Sequence, residues 1–261
     1  METPSLVQIG PASAPERPAA PHSCGCGHKF CPRKVHSVAG VVFGLMMIQH
    51  LAVNALALRP GLYQAAVGRI QALGWVLPWL SLTLIVLPLA VHVVLGATML
   101  KDAGFRYRTG KHHRGGDLRY LLQRITAVIL LLFIALHVLS LTDWGFHLVY
   151  RLTHWEALQA YGASGLFHPD QAYRSTSAAI RTLWDHDRPL AAGNLAVMGF
   201  YLLAIWATAY HLANGLSTAA MVWNLTRTPQ AERRAAQFCA GLCIATAIVG
   251  TLAWSAFILG A

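Results

Sequence analysis

Four histidines lie deep inside apolar stretches of the sequence, and they are the residues best placed to do chemistry. They are His50, His92, His137 and His211. A lone histidine in such a stretch is often a packed residue that hydrogen-bonds to a neighbouring helix. Four of them, one on each of four stretches, favour a shared function, because polar side chains are costly to bury in lipid. Imidazole is a common metal ligand, and these stretches contain no carboxylate that would favour a different metal.

The elements that carry these histidines are predicted to be membrane-spanning helices. The 261 residues are 56% hydrophobic and 11% charged, whereas soluble domains carry about 25% charged residues. Five long stretches contain no Asp, Glu, Lys or Arg, and a spanning helix needs roughly 20 apolar residues. The fourth stretch is too short for two spans, so we predict one long helix there. The predicted fold is all-α, a bundle of five transmembrane helices over residues 35–58, 75–100, 120–142, 189–224 and 235–259.

The distribution of basic residues predicts the orientation of this bundle. Fourteen of the 20 Lys and Arg residues lie before residue 35, in the connection 101–124 or near residue 230. Basic connections stay on the cytoplasmic side, so the N-terminus is expected in the cytoplasm and the C-terminus outside. Topology thus explains the net charge of +10 without a nucleic-acid partner. Residues 1–34 are expected to form a flexible cytoplasmic arm without a cleavable signal peptide. Residues 143–188 are expected to form an external segment at the interface or across the helix ends.

The depth of each histidine within its helix sorts the four into two pairs. At about 1.5 Å per residue, His50 lies roughly 14 Å and His137 roughly 9 Å from the external ends of their helices. His92 and His211 lie deeper, roughly 20 Å and 33 Å along theirs. Two levels with two imidazoles each suit two bis-histidine haems stacked across the bilayer.

Small and cationic residues near the histidines fit the same interpretation. Four glycines share helix faces with the histidines and leave room either for a flat macrocycle or for close helix packing. They are Gly40, Gly44, Gly96 and Gly215. Arg33, Lys34 and Arg124 lie at the cytoplasmic boundary, where they could pair with haem propionates or extend to the interface as ordinary boundary residues.

A series of short segments containing these residues resembles one membrane-protein family. The segments are K-V-H-S-V-A-G (34–40), I-Q-H-L-A-V-N (48–54), L-P-L-A-V-H-V-V-L-G (87–96), L-L-Q-R-I-T (121–126), A-L-H-V (135–138), Y-H-L-A-N-G-L (210–216) and W-N-L-T-R-T-P (223–229). They resemble, in order, the five-helix, di-haem cytochrome b subunit of succinate:quinone oxidoreductases and fumarate reductases, the type with a single anchor polypeptide. That family pairs its first-helix histidine with the third and its second with the fourth, as the depths predict here.

The resemblance implies a membrane anchor and electron conduit of the bacterial cytoplasmic membrane, catalytic only within a complex. Its partners would be a flavoprotein with covalent FAD and an iron–sulfur protein, both on the cytoplasmic side. The resulting complex could form a higher oligomer. Electrons would pass between the iron–sulfur clusters, an inner haem b on His92 and His211, an outer haem b on His50 and His137, and a quinone, menaquinone by the resemblance. The resemblance also implies cofactor contacts by Lys34, His36, Ser37 and Arg124.

Two departures from the family pattern bear on the direction of the reaction. Some members place a carboxylate near the outer haem as the quinol's proton acceptor, but no Asp or Glu occurs here between residues 17 and 101. Some fumarate reductases carry a Glu two residues before the fourth-helix histidine, where this chain has Ala209. Succinate oxidation is therefore the expected direction.

Two further sets of residues are ligand candidates. The polar and aromatic side chains that could reach a quinone near the outer haem also fit ordinary interfacial anchors; they are Asn54, Arg59, Gln64 and Trp79. The arm contains H-S-C-G-C-G-H-K-F-C-P, whose thiols and imidazole could hold zinc, although the spacing is not that of a common zinc motif. The zinc candidates are Cys24, Cys26, His28 and Cys31.

Two other function classes remain open from the sequence. Cytochrome b subunits of formate dehydrogenases, hydrogenases and nitrate reductases also use intramembrane histidine pairs, but distribute them differently along their helices. A haem-free transporter or proton channel would use the histidines as a relay and would show no visible absorption.

Overall fold

A computed structural model of the chain describes residues 31–103, 114–154, 166–185 and 187–260, and the structural statements below concern these residues. This part of the chain is helical and contains no strand. The predicted arm lies outside it except for residues 31–34, so the zinc candidates Cys24, Cys26 and His28 are not among the described residues.

The predicted all-α fold with five membrane-spanning segments is confirmed. Five helical segments are long and apolar enough to cross a membrane, namely Pro32–Leu58, Val76–Lys101, Leu118–Leu141, Ala192–Val222 and Pro229–Leu259. The fourth is a single helix of 31 residues, as the length of its apolar stretch predicts.

Nine α-helices occur in the described residues. In chain order they are α1 (Pro32–Ala55), α2 (Pro60–Gln71), α3 (Val76–Ser81), α4 (Leu87–Ala103), α5 (Arg114–Leu141), α6 (Asp143–Thr153), α7 (Ala172–Arg181), α8 (Ala192–Val222) and α9 (Pro229–Leu259). A short 3₁₀ turn, Leu56–Leu58, extends α1, and another, Pro169–Gln171, leads into α7.

The second span is continuous but changes its winding in the middle. A π-helical turn, Leu82–Val86, joins α3 to α4, and the backbone N–H of Leu87 donates to the carbonyl of Leu82. Pro88 follows directly, and a proline has no N–H to donate and crowds the carbonyl four residues earlier. The wider turn accommodates that proline without breaking the span.

The spans form one bundle in which α1 and α8 make the most varied contacts. Helix α1 packs against α4, α8 and α9, and α8 packs against α5 and α9. Large apolar side chains on α4, α5 and α9 point outward, among them Val94, Leu132 and Phe238. An apolar outer surface is what a helix bundle presents to lipid. We call the end where α1 begins and α8 ends the basic end, and the opposite end the cap end.

Short helices close the cap end. Helix α7 packs against α2, α8 and α9, and a buried cluster that includes Tyr63, Ile180 and Phe257 lies beneath it. The amide of Gln64 ties α2 to this layer, since it donates to the carbonyl of Pro169 at 2.7 Å and accepts from the backbone N–H of Ala172 at 2.8 Å. Burial raises the pKa of Tyr63, so its hydroxyl stays protonated and hydrogen-bonds to Thr176. The predicted external segment thus packs across helix ends through α7.

Candidate cofactor-binding site

The structure brings the two deeper histidines together. His92 lies on α4 and His211 lies on α8, and their ring centroids are 6.2 Å apart with the ring planes at 78°. The two helices carry these residues to one level of the bundle, although 119 positions separate them in the sequence.

The other two histidines form a second pair with nearly the same geometry. His50 on α1 and His137 on α5 have ring centroids 6.1 Å apart and planes at 83°. Phe133 stacks on His137 at 5.3 Å, and Tyr201 lies edge-on to it at 5.8 Å. The four histidines therefore occupy two separate places, each with two imidazoles about 6 Å apart between centroids and nearly perpendicular.

Hydrogen bonds favour the Nδ1–H tautomer of both histidines in the deeper pair. The Nδ1–H of His92 donates to the carbonyl of His36 at 3.1 Å, since a carbonyl can only accept. The hydroxyl of Thr126 donates to the carbonyl of Leu122 at 2.8 Å, so its oxygen is the acceptor for the Nδ1–H of His211 at 3.2 Å. A neutral imidazole protonated on Nδ1 keeps its lone pair on Nε2. Both rings thus have Nε2 available to bind a metal.

The second pair differs from the first in the partner of one Nε2 atom. The Nδ1 of His137 lies 3.3 Å from the hydroxyl of Tyr201, which leaves its Nε2 for another partner. The amide of Asn54 donates to the carbonyl of His50 at 2.8 Å and to its Nε2 at 3.2 Å. The His50 Nε2 therefore accepts and carries a lone pair, which Asn54 covers in this structure.

The spacing of both pairs would suit two imidazoles that hold one metal ion between them. An imidazole nitrogen binds a metal at about 2 Å and lies about 1 Å from its ring centre, so two rings on one ion have centroids about 6 Å apart. Three of the four rings are half-buried and His50 is exposed, so each keeps open surface beside it.

Two imidazoles also match the needs of a haem better than those of a bare ion. Across the described residues, no group of three or more His, Cys, Asp or Glu side chains could hold a metal. A bare zinc site takes four ligands, whereas haem iron needs only axial ligands from the protein. The donor set therefore fits a metal whose remaining ligands belong to its own macrocycle.

A polar network between α5 and α8 supports His211 and was not singled out from the sequence. Gln123 donates to the carbonyl of His211 at 3.2 Å, and Asn214 donates to Gln123 at 2.9 Å. Arg119 in turn donates to Asn214 at 3.0 Å and to Ser217 at 3.2 Å. The segments L-L-Q-R-I-T and H-L-A-N-G contain most of these residues, so the signal was present. In the first segment the sequence predicts only Arg124 as a site residue, because a cation is expected at the cytoplasmic boundary.

The residues expected to contact the cofactor at the basic end each lie against an aromatic side chain. The Lys34 ammonium lies 5.2 Å from the centre of the Trp223 ring, and the Trp223 indole N–H donates to Ser37 at 3.2 Å. The Arg124 guanidinium lies 3.9 Å from the centre of the Tyr120 ring. His36 stacks on His92. Lys34, His36 and Ser37 thus share one end of α1, near the deeper pair.

The quinone candidates are spread over the cap end. Asn54 contacts His50, whereas both ends of the Gln64 amide are engaged within the cap. Arg59 is exposed between α1 and α2, and Trp79 on α3 is 61% exposed. Asn54 is therefore the candidate that the structure places against a predicted metal ligand.

Comparison with known proteins gives one similarity over most of the chain. The succinate dehydrogenase cytochrome b558 subunit of Bacillus subtilis (strain 168) is 27% identical over 232 residues, which is 88% of this chain and 98% of that protein. The chain is similar to a succinate dehydrogenase cytochrome b subunit. This similarity and the five apolar helices make it a multi-pass protein of the bacterial cytoplasmic membrane. No family model and no solved structure matches the chain.

Proposed function

We propose that this chain is the membrane anchor and electron conduit of a succinate dehydrogenase. It would hold two b haems, an inner one between His92 and His211 and an outer one between His50 and His137. The observation that carries the proposal is the pair of neighbouring imidazoles at each level, 6.2 Å and 6.1 Å apart between centroids. Each haem, when bound, supplies a one-electron carrier.

The chain's own residues hold and orient the two groups. The carbonyl of His36 and the hydroxyl of Thr126 keep the proton on Nδ1 of the inner ligands, so that Nε2 is the coordinating atom. Lys34, His36, Ser37 and Arg124 are the proposed polar contacts of the inner cofactor at the basic end.

The two sites are separated along the bundle, as an electron path across a membrane requires. His36, which contacts the inner pair, precedes His50 by 14 residues on α1. At about 1.5 Å per residue this is roughly 21 Å along the helix. The inner site therefore lies toward the basic end and the outer site toward the cap end.

The same separation along the bundle assigns the protein partners to one end and the quinone to the other. We place the flavoprotein and the iron–sulfur subunit at the basic end, on the cytoplasmic side, next to the inner site. The quinone, menaquinone by the resemblance, is placed at the cap end near Asn54, with Arg59, Gln64 and Trp79 as further candidates. Succinate oxidation is the proposed direction. The zinc site of the arm stays a prediction.

The first test is the haem content of the purified chain. A dithionite-reduced minus oxidised spectrum with a pyridine haemochrome assay is expected to give about two haems b per chain, one for each histidine pair. His92→Ala and His50→Ala are each expected to reduce the content to about one, because each leaves a single imidazole at one site. The matched control is His147→Ala on α6, where the histidine is exposed and outside both pairs.

Three results would contradict the proposal in whole or in part. Folded wild-type protein without haem would favour the transporter or channel. Two haems in both His92→Ala and His50→Ala would show that other residues bind them. Copurification with a formate dehydrogenase, hydrogenase or nitrate reductase would keep the cytochrome role and replace the partner enzyme.

A further inference from the structure

We propose that His36 and Gly40 are positioning residues for the inner site. Together with Gly96 they form a reciprocal clasp between α1 and α4 that sets the orientation of His92. The inference rests on the proposed haem between His92 and His211. It assigns a new role to Gly40 and Gly96, which bind no cofactor themselves, and a second role to His36, which is also a proposed cofactor contact.

The clasp begins with two stacked imidazoles. The rings of His36 and His92 are 3.9 Å apart between centroids and only 16° from parallel. Each ring also hydrogen-bonds to the other residue's backbone: the Nδ1–H of His36 donates to the carbonyl of His92 at 3.0 Å, and the Nδ1–H of His92 donates to the carbonyl of His36 at 3.1 Å. Each residue thus stacks on the ring of the other and donates a hydrogen bond to the other's backbone carbonyl.

Two glycines make this contact possible. A Cβ added at Gly40 would lie 2.6 Å from Cε1 and 2.7 Å from Nδ1 of His92. A Cβ added at Gly96 would lie 3.2 Å from Cε1 of His36. Each glycine follows its own helix's histidine by four residues, so the pattern His-x-x-x-Gly occurs on both helices and each glycine receives the other helix's ring.

This arrangement is the close-packing alternative of the two that the sequence leaves open for these glycines. At Gly40 and Gly96 an imidazole ring of the neighbouring helix lies against the glycine, and at Gly44 the side chain of Leu212 does. Gly215 differs, because a Cβ there would meet only the amide of Gln123, at 3.6 Å.

The clasp restrains His92 more strongly than any contact restrains His50. The carbonyl of His36 fixes the Nδ1 side of the His92 ring, the stacked ring covers one face, and Gly40 lies against its edge. The hydrogen bonds of His50 come from Asn54 on its own helix. A change in the clasp should therefore alter the inner site and leave the outer site as it is.

The decisive variant is Gly40→Ala in the full chain. The added methyl group displaces the His92 ring, since backbone and ring cannot both stay in place at 2.6 Å. We expect loss or a changed g value of the inner haem's low-spin EPR signal, and a fall toward one haem b per chain. The outer signal, identified as the one missing in His50→Ala, should not change. The matched control is Gly199→Ala on α8, where a Cβ meets nothing within 4 Å.

Two further variants separate the parts of the clasp and cover the case in which Gly40→Ala fails to fold. His36→Phe keeps a stacked ring and the backbone carbonyl but removes the donor to His92, and His36→Asn keeps a donor but removes the ring. We expect both to shift the inner EPR signal and not the outer one.

The possible failures can be told apart. Unchanged inner signals in Gly40→Ala and in both His36 variants would overturn the clasp while leaving the two-haem proposal intact. Equal changes in the inner and outer signals would also overturn it, because they would indicate a general loss of packing. A wild-type protein with no haem would instead refute the proposed function.

Discussion

An imidazole binds a metal through the nitrogen that carries no proton, so the placement of a single hydrogen decides whether each histidine can act. In the inner pair that hydrogen is held on Nδ1 by two different acceptors, a backbone carbonyl for His92 and the Thr126 hydroxyl for His211. Neither acceptor is itself a metal ligand. The chemistry of the site therefore depends on residues one step removed from the proposed iron.

The Thr126 hydroxyl can be removed without changing the shape of the side chain. We expect Thr126→Val to leave the Nδ1–H of His211 without an acceptor, at a cost of about 1–3 kcal/mol for a buried donor. The inner haem should then bind less tightly or show a shifted midpoint potential, measured by redox titration of the purified protein. Thr126→Ser keeps the hydroxyl and should titrate as the wild type does. Identical potentials in all three proteins would show that this hydrogen bond does not tune the site.

The sequence was sufficient to find the four histidines and to sort them by depth, because depth follows from helix rise alone. It could not supply their partners. Thr126 contacts His211 from 85 positions away, and Tyr201 contacts His137 from 64 positions away. Such contacts depend on the rotation of each helix about its own axis. An apolar sequence hardly determines that rotation, because every face of the helix is hydrophobic.

At the level of elements, the spanning helices were predictable and the cap was not. The spans follow from long uncharged stretches, and only their ends shifted by a few residues. Helices α2 and α7 are short and polar enough to resemble ordinary loops. Their packing depends on distant contacts, such as that of Gln64 with Pro169, 105 positions apart.

One side chain organises the connection between α7 and α8. Asn194 is fully buried, and its amide oxygen accepts from the backbone N–H groups of Trp184 and Asp185 at 2.8 Å and 3.3 Å. Its amide nitrogen donates to the carbonyls of Asp185 and Arg188 at 2.8 Å and 3.1 Å. One residue at the start of α8 thus holds a turn made of residues that precede it.

Asn194→Ala should release that turn, because it leaves several polar backbone groups without partners at roughly 1–3 kcal/mol each where they are buried. We expect faster hydrogen exchange in residues 182–191 and new protease cleavage there, with the haem spectrum unchanged. Leu195→Ala changes the adjacent residue, whose side chain is 49% exposed, and should leave exchange unaltered. Equal exchange in Asn194→Ala and wild type would mean that the turn is held by other contacts.

For the whole molecule, the predicted orientation places the basic end in the cytoplasm. Five spans put the two ends of the chain on opposite sides, and the excess of Lys and Arg at the basic end predicts that this end is cytoplasmic. The proposed function needs the same orientation, because the flavoprotein and iron–sulfur partners must meet the end nearer to His92 and His211. Charge and electron transfer are independent arguments, so one measurement of sidedness tests both.

Reporter fusions measure this directly. Alkaline phosphatase fused after residue 261 should be active and green fluorescent protein at the same position should not fluoresce, because that end is predicted to lie outside. Fusions after residue 226, which follows the fourth span, should give the opposite pair of results. The two reporters control each other, since a fusion that merely misfolds gives neither signal. Active phosphatase after residue 226 would place the basic end outside, and the inner histidine pair would then be the one farther from any cytoplasmic partner.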